Sequence, residues 1–293
     1  MRLKDLIRSD ELTLSFEVFP PKTDAAFDDV LRATEKIAAL KPSFISVTYG
    51  AGGAGGKYTR EIANRLQNVD GVETLAHLTC VGAGRENVEA YLKQLKEDGI
   101  HNIMALRGDL PQGMDPETMK NSPFPHAADL VRVIRKAGDF CIGAACYPEV
   151  HPESATQKED LRFLKEKVEA GVDFLTTQMF FDNNLLYNFL YKLREAGVTV
   201  PVVPGIMPIT NANQVKRARE LSGSFMPRRF TSLVDCFGSS PEAMKQAGII
   251  YACDQIIDLV ANGIRHVHVY TMNKPDVAAA IQWLLSGGLG RAF

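Results

Sequence analysis

A glutamate inside an apolar run is the first candidate for chemistry in this chain. Glu17 lies in LTLSFEVFP (12 to 20), with Phe16 and Phe19 beside it. Glutamate is disfavoured in strands, so function explains a carboxyl at this position better than local structure does. Desolvation by aromatic neighbours favours the protonated carboxyl, which can serve as a general acid. We therefore predict that Glu17 donates a proton during catalysis.

Charged and amide side chains farther along the chain could complete such a site. Asp109 ends the run NIMALRGD (102 to 109) and could stabilise a cationic intermediate through space. Arg107 and Lys167 offer positive charge to phosphate groups. The amide of Gln178 both donates and accepts hydrogen bonds, as recognition of a neutral heterocycle requires. These residue types predict an enzyme that acts on a small molecule with the help of a cofactor.

Eight short β-rich runs could position these residues, because each is bounded by Gly, Pro or Asp and followed by a helical pattern. The runs cover residues 12–20, 44–50, 73–80, 102–109, 140–148, 174–182, 200–209 and 266–274. Strand followed by helix, eight times over, predicts an α/β protein whose parallel strands close into a (β/α)8 TIM barrel. One domain of that fold uses about 250 residues, so we predict that residues 1–293 form a single barrel domain.

Some helices and connections can also be read from the sequence. The pattern at 24–40 predicts a helix, the stretch 239–263 has the Ser-Pro-Glu start and Gly end of another, and a last helix is expected at 275–286. Two connections look long for a barrel, at 110–126 and at 222–240. The first follows the fourth strand and could act as a lid over the site.

The predicted barrel also predicts where the site lies, because barrel enzymes carry functional groups at the carboxyl ends of their strands. Polar residues stand at or near such ends on seven of the eight strands: Glu17, Thr48, Tyr49, His77, Arg107, Asp109, Tyr147, His151, Gln178 and Lys274. An ordinary barrel core would place Val, Ile and Leu there. The set therefore indicates a catalytic face.

Composition narrows the class of protein. A formal net charge of -2 leaves no basic excess for nucleic acid, and no apolar run is long enough to span a membrane. The start of the chain lacks a secretory signal, so we expect a cytoplasmic protein. The five cysteines form no C-x-x-C pair and are expected to be reduced, mostly buried thiols. His266 and His268 are placed toward the start of the last strand, away from the catalytic face, and no metal site is expected.

Eight motifs at the ends of the predicted strands resemble the methylenetetrahydrofolate reductase family. They are SFEVFPP (15 to 21), SVTYGAGG (46 to 53), AHLTC (76 to 80), ALRGDLP (105 to 111), AACYPEVHPE (144 to 153), TQMFFD (177 to 182), PGIMPI (204 to 209) and HVYTMNK (268 to 274). The resemblance covers nearly the whole barrel, in the expected order. It implies the short bacterial form of the family, without a regulatory domain.

The resemblance implies an oxidoreductase in which FAD takes a hydride from NADH or NADPH and passes it to 5,10-methylenetetrahydrofolate, giving 5-methyltetrahydrofolate for methionine synthesis. The residues implied to contact FAD are Thr48, Tyr49, Ala51, His77, Arg107, Gly108, Asp109, Tyr147, His151, Asp160 and Lys167. The residues implied to face folate are Asp109, Gln178, Gln214 and Lys274. Relatives suggest NADH and a homo-oligomer. Two positions depart from the family pattern, since Ala218 replaces a large apolar residue and Lys274 stands where arginine is common.

Three other interpretations remain open at this point. The segment GAGGAG (50 to 55) formally matches G-x-G-x-x-G and could indicate a dinucleotide-binding Rossmann domain. A segment made only of Gly and Ala, however, matches this pattern easily by composition alone. A Schiff-base aldolase barrel would use Lys274 as its nucleophile but would leave Glu17 and Asp109 unexplained. A flavin-binding or folate-binding subunit without catalysis would not need the acid.

Overall fold

The computed structural model describes residues 1–50, 55–110, 113, 115 and 117–289. Within these ranges every pairing between neighbouring strands is parallel. The strands are β1 (Thr13–Val18), β2 (Ile45–Val47), β3 (Thr74–Thr79), β4 (Asn102–Leu106), β5 (Cys141–Cys146), β6 (Phe174–Thr177), β7 (Val202–Val203), β8 (Gly205–Ile206) and β9 (His266–Tyr270). Strand β7 pairs with β6, β8 pairs with β9, and β9 pairs with β1. The predicted (β/α)8 barrel is therefore confirmed.

Pro204 explains why a barrel of eight strands contains nine strand segments. It separates β7 from β8, which are two halves of the predicted seventh strand. Proline has no N–H for the ladder, but the Pro204 carbonyl still accepts a hydrogen bond from the His268 N–H at 2.9 Å. The strands are otherwise shorter than predicted at their carboxyl ends. Residues such as Thr48 and Gln178 lie just beyond the ladder, in the loops that form the mouth of the barrel.

Helices surround the barrel in the order that the sequence predicts. They are α1 (Leu3–Leu6), α2 (Phe27–Ala38), α3 (Gly55–Asn68), α4 (Arg85–Glu97), α5 (Glu117–Lys120), α6 (Ala127–Ala137), α7 (Gln157–Glu169), α8 (Asn183–Glu195), α9 (Asn213–Ser222), α10 (Arg228–Phe237), α11 (Pro241–Ala261) and α12 (Pro275–Leu289). The Ser-Pro-Glu start is confirmed, because the Ser240 hydroxyl accepts from the Ala243 N–H at 3.3 Å. Across the described ranges, no helix has both the length and the apolar character needed to cross a bilayer.

The prediction of a long connection at 222–240 is wrong. Most of it is α10, whose apolar residues at 230, 233, 234 and 237 have helical spacing. Phe230 is fully buried, with its ring centroid 5.0 Å from each of the rings of Phe181 and Tyr251. The connection at 110–126 contains the short helix α5, and its proposed role as a lid stays a prediction.

The strands divide the barrel into an outer core and an interior with two layers. Leu14, Phe16 and Val18 of β1 pack outward into the main core, as expected for alternating side chains. The lower interior is apolar: Leu3, Ile7, Phe44, Leu75, Met104, Cys141, Phe174 and Val203 form one cluster. Helix α1 covers this end, because the Leu3 N–H donates to Asn102 Oδ1 at 2.9 Å. Polar side chains occupy the upper interior, so the barrel opens toward the predicted catalytic face.

Gly205 is the position in the barrel wall where a side chain would be most disruptive. A Cβ there would overlap the Tyr270 hydroxyl and would lie 2.6 Å from the Thr177 carbonyl oxygen. We expect Gly205→Ala to lower the free energy of unfolding by about 1–3 kcal/mol through overpacking. Chemical denaturation of Gly205→Ala, of Tyr270→Phe and of the double variant measures this change in the free energy of unfolding. The penalty should shrink when the hydroxyl is gone; an unchanged penalty would contradict the proposed clash.

Candidate active site

A cavity of about 1730 Å³ opens at the carboxyl ends of the strands. Its lining contains most of the residues selected from the sequence: Glu17, Thr48, Tyr49, His77, Arg107, Gly108, Asp109, Tyr147, His151, Lys167, Gln178 and Gln214. The barrel therefore brings together side chains that are up to 197 positions apart in the chain. Asp160 and Lys274 contact residues beside the cavity rather than lining it. Ala51, and most of the GAGGAG segment with it, lies outside the described residues.

Glu17 reaches the cavity from β1, and its carboxyl group is surrounded by imidazole and hydroxyl groups. Its side chain is 20% exposed, and its carboxylate accepts from the Ser46 hydroxyl at 3.3 Å. His77 Nε2 lies 3.7 Å from Glu17 Oε2. Burial lowers the pKa of His77 to about 4, so this imidazole is neutral at pH 7 and forms no ion pair. Glu17 is thus a shielded carboxyl, and no lysine or arginine among the described residues forms an ion pair with it.

His268 belongs to this site, and its predicted position away from the catalytic face is wrong. The parallel register pairs His268 with Ser15 and Tyr270 with Glu17. His268 therefore lies one side-chain layer deeper in the barrel than Glu17. Its Nε2 is 3.8 Å from Glu17 Oε2, and its side chain is 3% exposed. The prediction for His266 is confirmed, because that residue lies at the opposite end of β9 and contacts the Thr13 hydroxyl at 2.8 Å.

The loop after β9 fixes the backbone around the acid. The Thr271 hydroxyl donates to the Glu17 carbonyl at 2.6 Å. The side chain of Asn273 accepts from the Phe19 N–H at 2.9 Å and donates to the Phe19 carbonyl at 2.8 Å, as a neighbouring strand would. Met272 and Asn273 have φ angles of +54° and +53°, which are uncommon for residues other than glycine. This strained turn places Asn273 so that it can clamp the first strand to the last.

Arg107 is already paired in this structure. Its guanidinium makes a bidentate ion pair with Glu153, one contact of which is 2.7 Å long. This pair and the nearby charge of Asp109 raise the pKa of Arg107, so it keeps its positive charge. Glu153 was not singled out from the sequence, although it lies within the AACYPEVHPE motif. A phosphate group bound by Arg107 would have to share this cation with Glu153.

Lys167 presents its ammonium group inward from α7. Its Nζ donates to the Ala145 carbonyl at 2.6 Å, and burial lowers the pKa of this lysine. Asp160, on the same helix, accepts from the Ser154 hydroxyl at 3.3 Å, and burial raises the pKa of its carboxyl. A lysine on the solvated face of a helix would show neither contact nor shift. Lys167 is therefore not a solvated surface residue, and its role in binding the cofactor stays a prediction.

Three of the residues predicted to face folate follow later strands than Asp109 does: Gln178 follows β6, Gln214 follows β8 and Lys274 follows β9. Gln178 and Gln214 line the cavity, and Gln214 Oε1 accepts from the Thr210 N–H at 2.8 Å. The Lys274 ammonium donates to the Thr210 hydroxyl, also at 2.8 Å. Ala218 lies at the cavity wall with 2% of its surface exposed. Its small side chain cannot make the contact that the family resemblance implies for a large apolar residue at this position.

The buried cysteines of the described residues are not activated thiols. Cys80, Cys141, Cys146 and Cys253 are buried, and burial raises the pKa of each thiol to about 12. The predicted reduced core cysteines are confirmed for these four, whereas Cys236 is exposed. Among the residues that the structure describes, no three His, Cys, Asp or Glu side chains are grouped to hold a metal ion.

Comparison with known proteins identifies the family. Residues 2–285 match the family model for methylenetetrahydrofolate reductase. A 5,10-methylenetetrahydrofolate reductase of Pectobacterium carotovorum is 36% identical over 270 residues, which cover 92% of this chain and 89% of the relative. This chain belongs to the methylenetetrahydrofolate reductase family. The Escherichia coli member of the methylenetetrahydrofolate reductase family is 34% identical over 271 residues, at 92% and 90% coverage.

Plant members of the methylenetetrahydrofolate reductase family are longer. Methylenetetrahydrofolate reductase (NADH) 1 of Zea mays is 39% identical over 278 residues, which are 91% of this chain but 47% of the plant protein. The chain thus spans about half the length of its plant relatives. Among solved structures, a Clostridium thermocellum protein that binds two copies of 5-methyl-5,6,7,8-tetrahydrofolic acid has a TM-score of 0.66 at 12% identity, covering 96% of this chain and 99% of that protein. At that identity the likeness supports the barrel fold alone.

The topology and the position of Lys274 argue against two of the three interpretations left open by the sequence. The glycine-rich match at 50–55 is not part of a Rossmann domain, because the strands close into a ring instead of a doubly wound sheet. The nucleophile of an aldolase would have to face the cavity, whereas Lys274 is bound to Thr210 beside it. Ser46, Tyr270, Met207 and Arg217 line or support the cavity without having been predicted. Alternation along β2 and β9 could have revealed the first two.

Proposed function

We propose that this chain reduces 5,10-methylenetetrahydrofolate to 5-methyltetrahydrofolate, with FAD as its bound cofactor and NADH as the hydride donor. The observation that carries the proposal is the shielded carboxyl of Glu17 at the base of a large cavity, in a chain that belongs to this family. The name of the plant relatives, which includes NADH, supports that donor.

The described residues fit a flavin dinucleotide. The cavity is large enough for one, since drug-sized ligands occupy about 300–1,000 Å³. Arg107 and Lys167 supply positive charge along one side, where a pyrophosphate would bind. Tyr147 and His151 add an edge-to-face aromatic pair with ring centroids 4.5 Å apart. FAD, when bound, would accept a hydride from NADH and deliver it to the methylene carbon of the folate.

The side chains then perform the acid chemistry on folate. The methylene bridge is unreactive until one of its C–N bonds breaks, with the electron pair of that bond going to the leaving nitrogen. Glu17 would protonate that nitrogen, and the product of opening is an iminium cation. Asp109 would stabilise the cation through space, and Gln178 would hydrogen-bond the pterin ring. Lys274 would offer positive charge to the glutamate tail of folate, without the bidentate geometry of arginine.

Colour tests the proposed function directly. We expect the purified protein to be yellow, to bleach with NADH in the absence of oxygen, and to regain colour when methylenetetrahydrofolate is added. Repeating the reduction with NADPH compares the two donors. A colourless protein would contradict the proposal, and a yellow protein inert to both substrates would indicate a binding subunit without catalysis.

Lys167→Met should weaken FAD binding by about 10- to 100-fold, because charge-assisted hydrogen bonds contribute about 1.5–3 kcal/mol. Fluorescence titration of the flavin-free protein with FAD measures the change. Lys165→Met, on the exposed side of the same helix, is the matched control and should bind FAD normally. Equal affinities for the two variants would remove Lys167 from the cofactor site.

A further inference from the structure

A tight turn after β5 carries two of the residues predicted to contact the cofactor. Tyr147 begins the turn, and its carbonyl accepts a hydrogen bond from the Val150 N–H at 3.3 Å. His151 follows directly, and its ring centroid lies 4.5 Å from that of Tyr147. Both side chains line the cavity. The backbone conformation at Val150 therefore sets how these two rings are placed relative to each other.

Val150 is the strained position of this turn. Its φ angle is +78°, in the left-handed region of the backbone map. Glycine is the residue favoured at the last position of such a turn, and a β-branched residue with positive φ is a genuine outlier. A residue stays in a sparsely populated conformation only when the surrounding structure enforces it. Contacts on the neighbouring residues must therefore keep Val150 in this conformation.

Glu149 makes the contact that ties the turn to the rest of the protein. Its Oε2 accepts from the Phe225 N–H at 2.6 Å, across 76 positions of the chain. Its Oε1 is buried and has no hydrogen-bond partner among the described residues, so this one bond anchors the carboxyl group. Burial raises the pKa of Glu149, the Phe225 N–H opposes the rise, and the charge of Asp182 adds to it. A hydrogen bond from an N–H to a carboxylate is among the stronger ones in proteins.

Phe225 is a firm anchor, because both of its neighbours in the chain are buried. The Ser224 hydroxyl donates to the Met179 carbonyl at 3.0 Å. Met226 packs in the same apolar cluster as Phe230. The ring of Phe225 itself is exposed, so its backbone N–H is the part of this residue that faces the protein. The turn is thus anchored to the segment between α9 and α10, on the side of the barrel that carries Gln214.

We propose that Glu149 is a positioning residue that keeps Val150 in its left-handed conformation through the Phe225 N–H. This conformation places Tyr147 and His151 for the cofactor before the cofactor binds. The inference rests on the proposed binding of FAD. Glu149 lies outside the cavity lining and acts through its neighbours in the turn. Without its anchor, Val150 would relax to negative φ, and FAD binding would have to restore the strained turn at the expense of affinity.

Release of FAD from the loaded enzyme tests the anchor. After dilution, recovery of flavin fluorescence measures the rate of release. Glu149→Ala should release FAD about 10- to 100-fold faster, as expected for one lost hydrogen bond to a charged group. Glu149→Gln keeps an oxygen that can accept from the Phe225 N–H, so its release should be faster by less than about tenfold. Release from Glu149→Ala at the parental rate would overturn the proposal.

The strain at Val150 provides a matched pair of rescue variants. In the Glu149→Ala background, Val150→Gly should slow FAD release again by at least about threefold, because glycine adopts positive φ readily. Val150→Ala also removes the branched side chain, but it keeps the Cβ atom that disfavours this conformation, so it should not rescue. Equal rescue by glycine and alanine, or none by either, would contradict the role of the left-handed turn. If Glu149→Ala does not fold, the same pair is compared beside Glu149→Gln.

Two further readouts separate this inference from a structural role and from the proposed function. A merely structural role would lower the free energy of unfolding of the flavin-free Glu149→Ala variant and leave the rate of FAD release from the folded enzyme unchanged. If the parent protein binds no FAD, the proposed function itself is wrong. If the parent binds FAD and the glycine rescue is absent, only the inference about Glu149 fails.

Discussion

Replacing Glu17 by glutamine is expected to leave flavin reduction by NADH intact and to slow reduction of methylenetetrahydrofolate by at least about 10²- to 10⁴-fold. Hydride transfer from NADH requires no proton on a folate nitrogen, whereas opening the methylene bridge does. Glutamine has nearly the same volume, and its amide oxygen can still accept from the Ser46 hydroxyl, which lies 3.3 Å from the Glu17 carboxylate. The variant therefore removes the transferable proton and keeps the contacts.

Stopped-flow absorbance of each half-reaction is the measurement, after the flavin content of the variant has been checked. Glu11→Gln makes the same chemical change just before β1, at the far end of the barrel, and should behave as the parent does. Folate reduction by Glu17→Gln at close to the parental rate would show that another group supplies the proton.

Asp109→Asn should slow folate reduction by about a hundredfold and flavin reduction by much less, because the carboxylate is assigned to the iminium cation. Asp109 is exposed in this structure. An exposed charge is screened by water, so an effect of this size requires that bound flavin and folate cover Asp109 during the reaction. The same half-reactions measure it, and Asp139→Asn provides an equal charge change at the opposite end of the barrel. Equal losses in both half-reactions would contradict the assigned role.

The sequence predicts the barrel and most of its catalytic face for a physical reason. Parallel strands with helical returns have few ways to close, and their carboxyl ends must then meet at one face. Glu17, His77 and Gln178 could therefore be placed together before any distance was known, and the structure puts all three on one cavity.

What the sequence does not predict depends on register and on loop geometry. His268 was misplaced because its height in the barrel follows from its pairing with Ser15, and not from its position along its own strand. The contact between Arg107 and Glu153 joins two loops 46 residues apart, whose paths no periodicity reveals. The contact of Ala51 with FAD and a homo-oligomeric state stay predictions from the family resemblance.

The clamp between Asn273 and Phe19 joins residues that are 254 positions apart. During synthesis, β1 leaves the ribosome long before β9 exists, by roughly 10–50 s at ordinary rates of translation. Until then Glu17 has one flanking strand and lacks His268, Thr271 and Asn273. Ring closure between the first and last strands must bring together the most distant parts of the chain, which makes it a slow and late event. The surroundings of Glu17 are thus among the last parts of the protein to mature, and a nascent chain that stops before β9 holds Glu17 without the groups that fix its position.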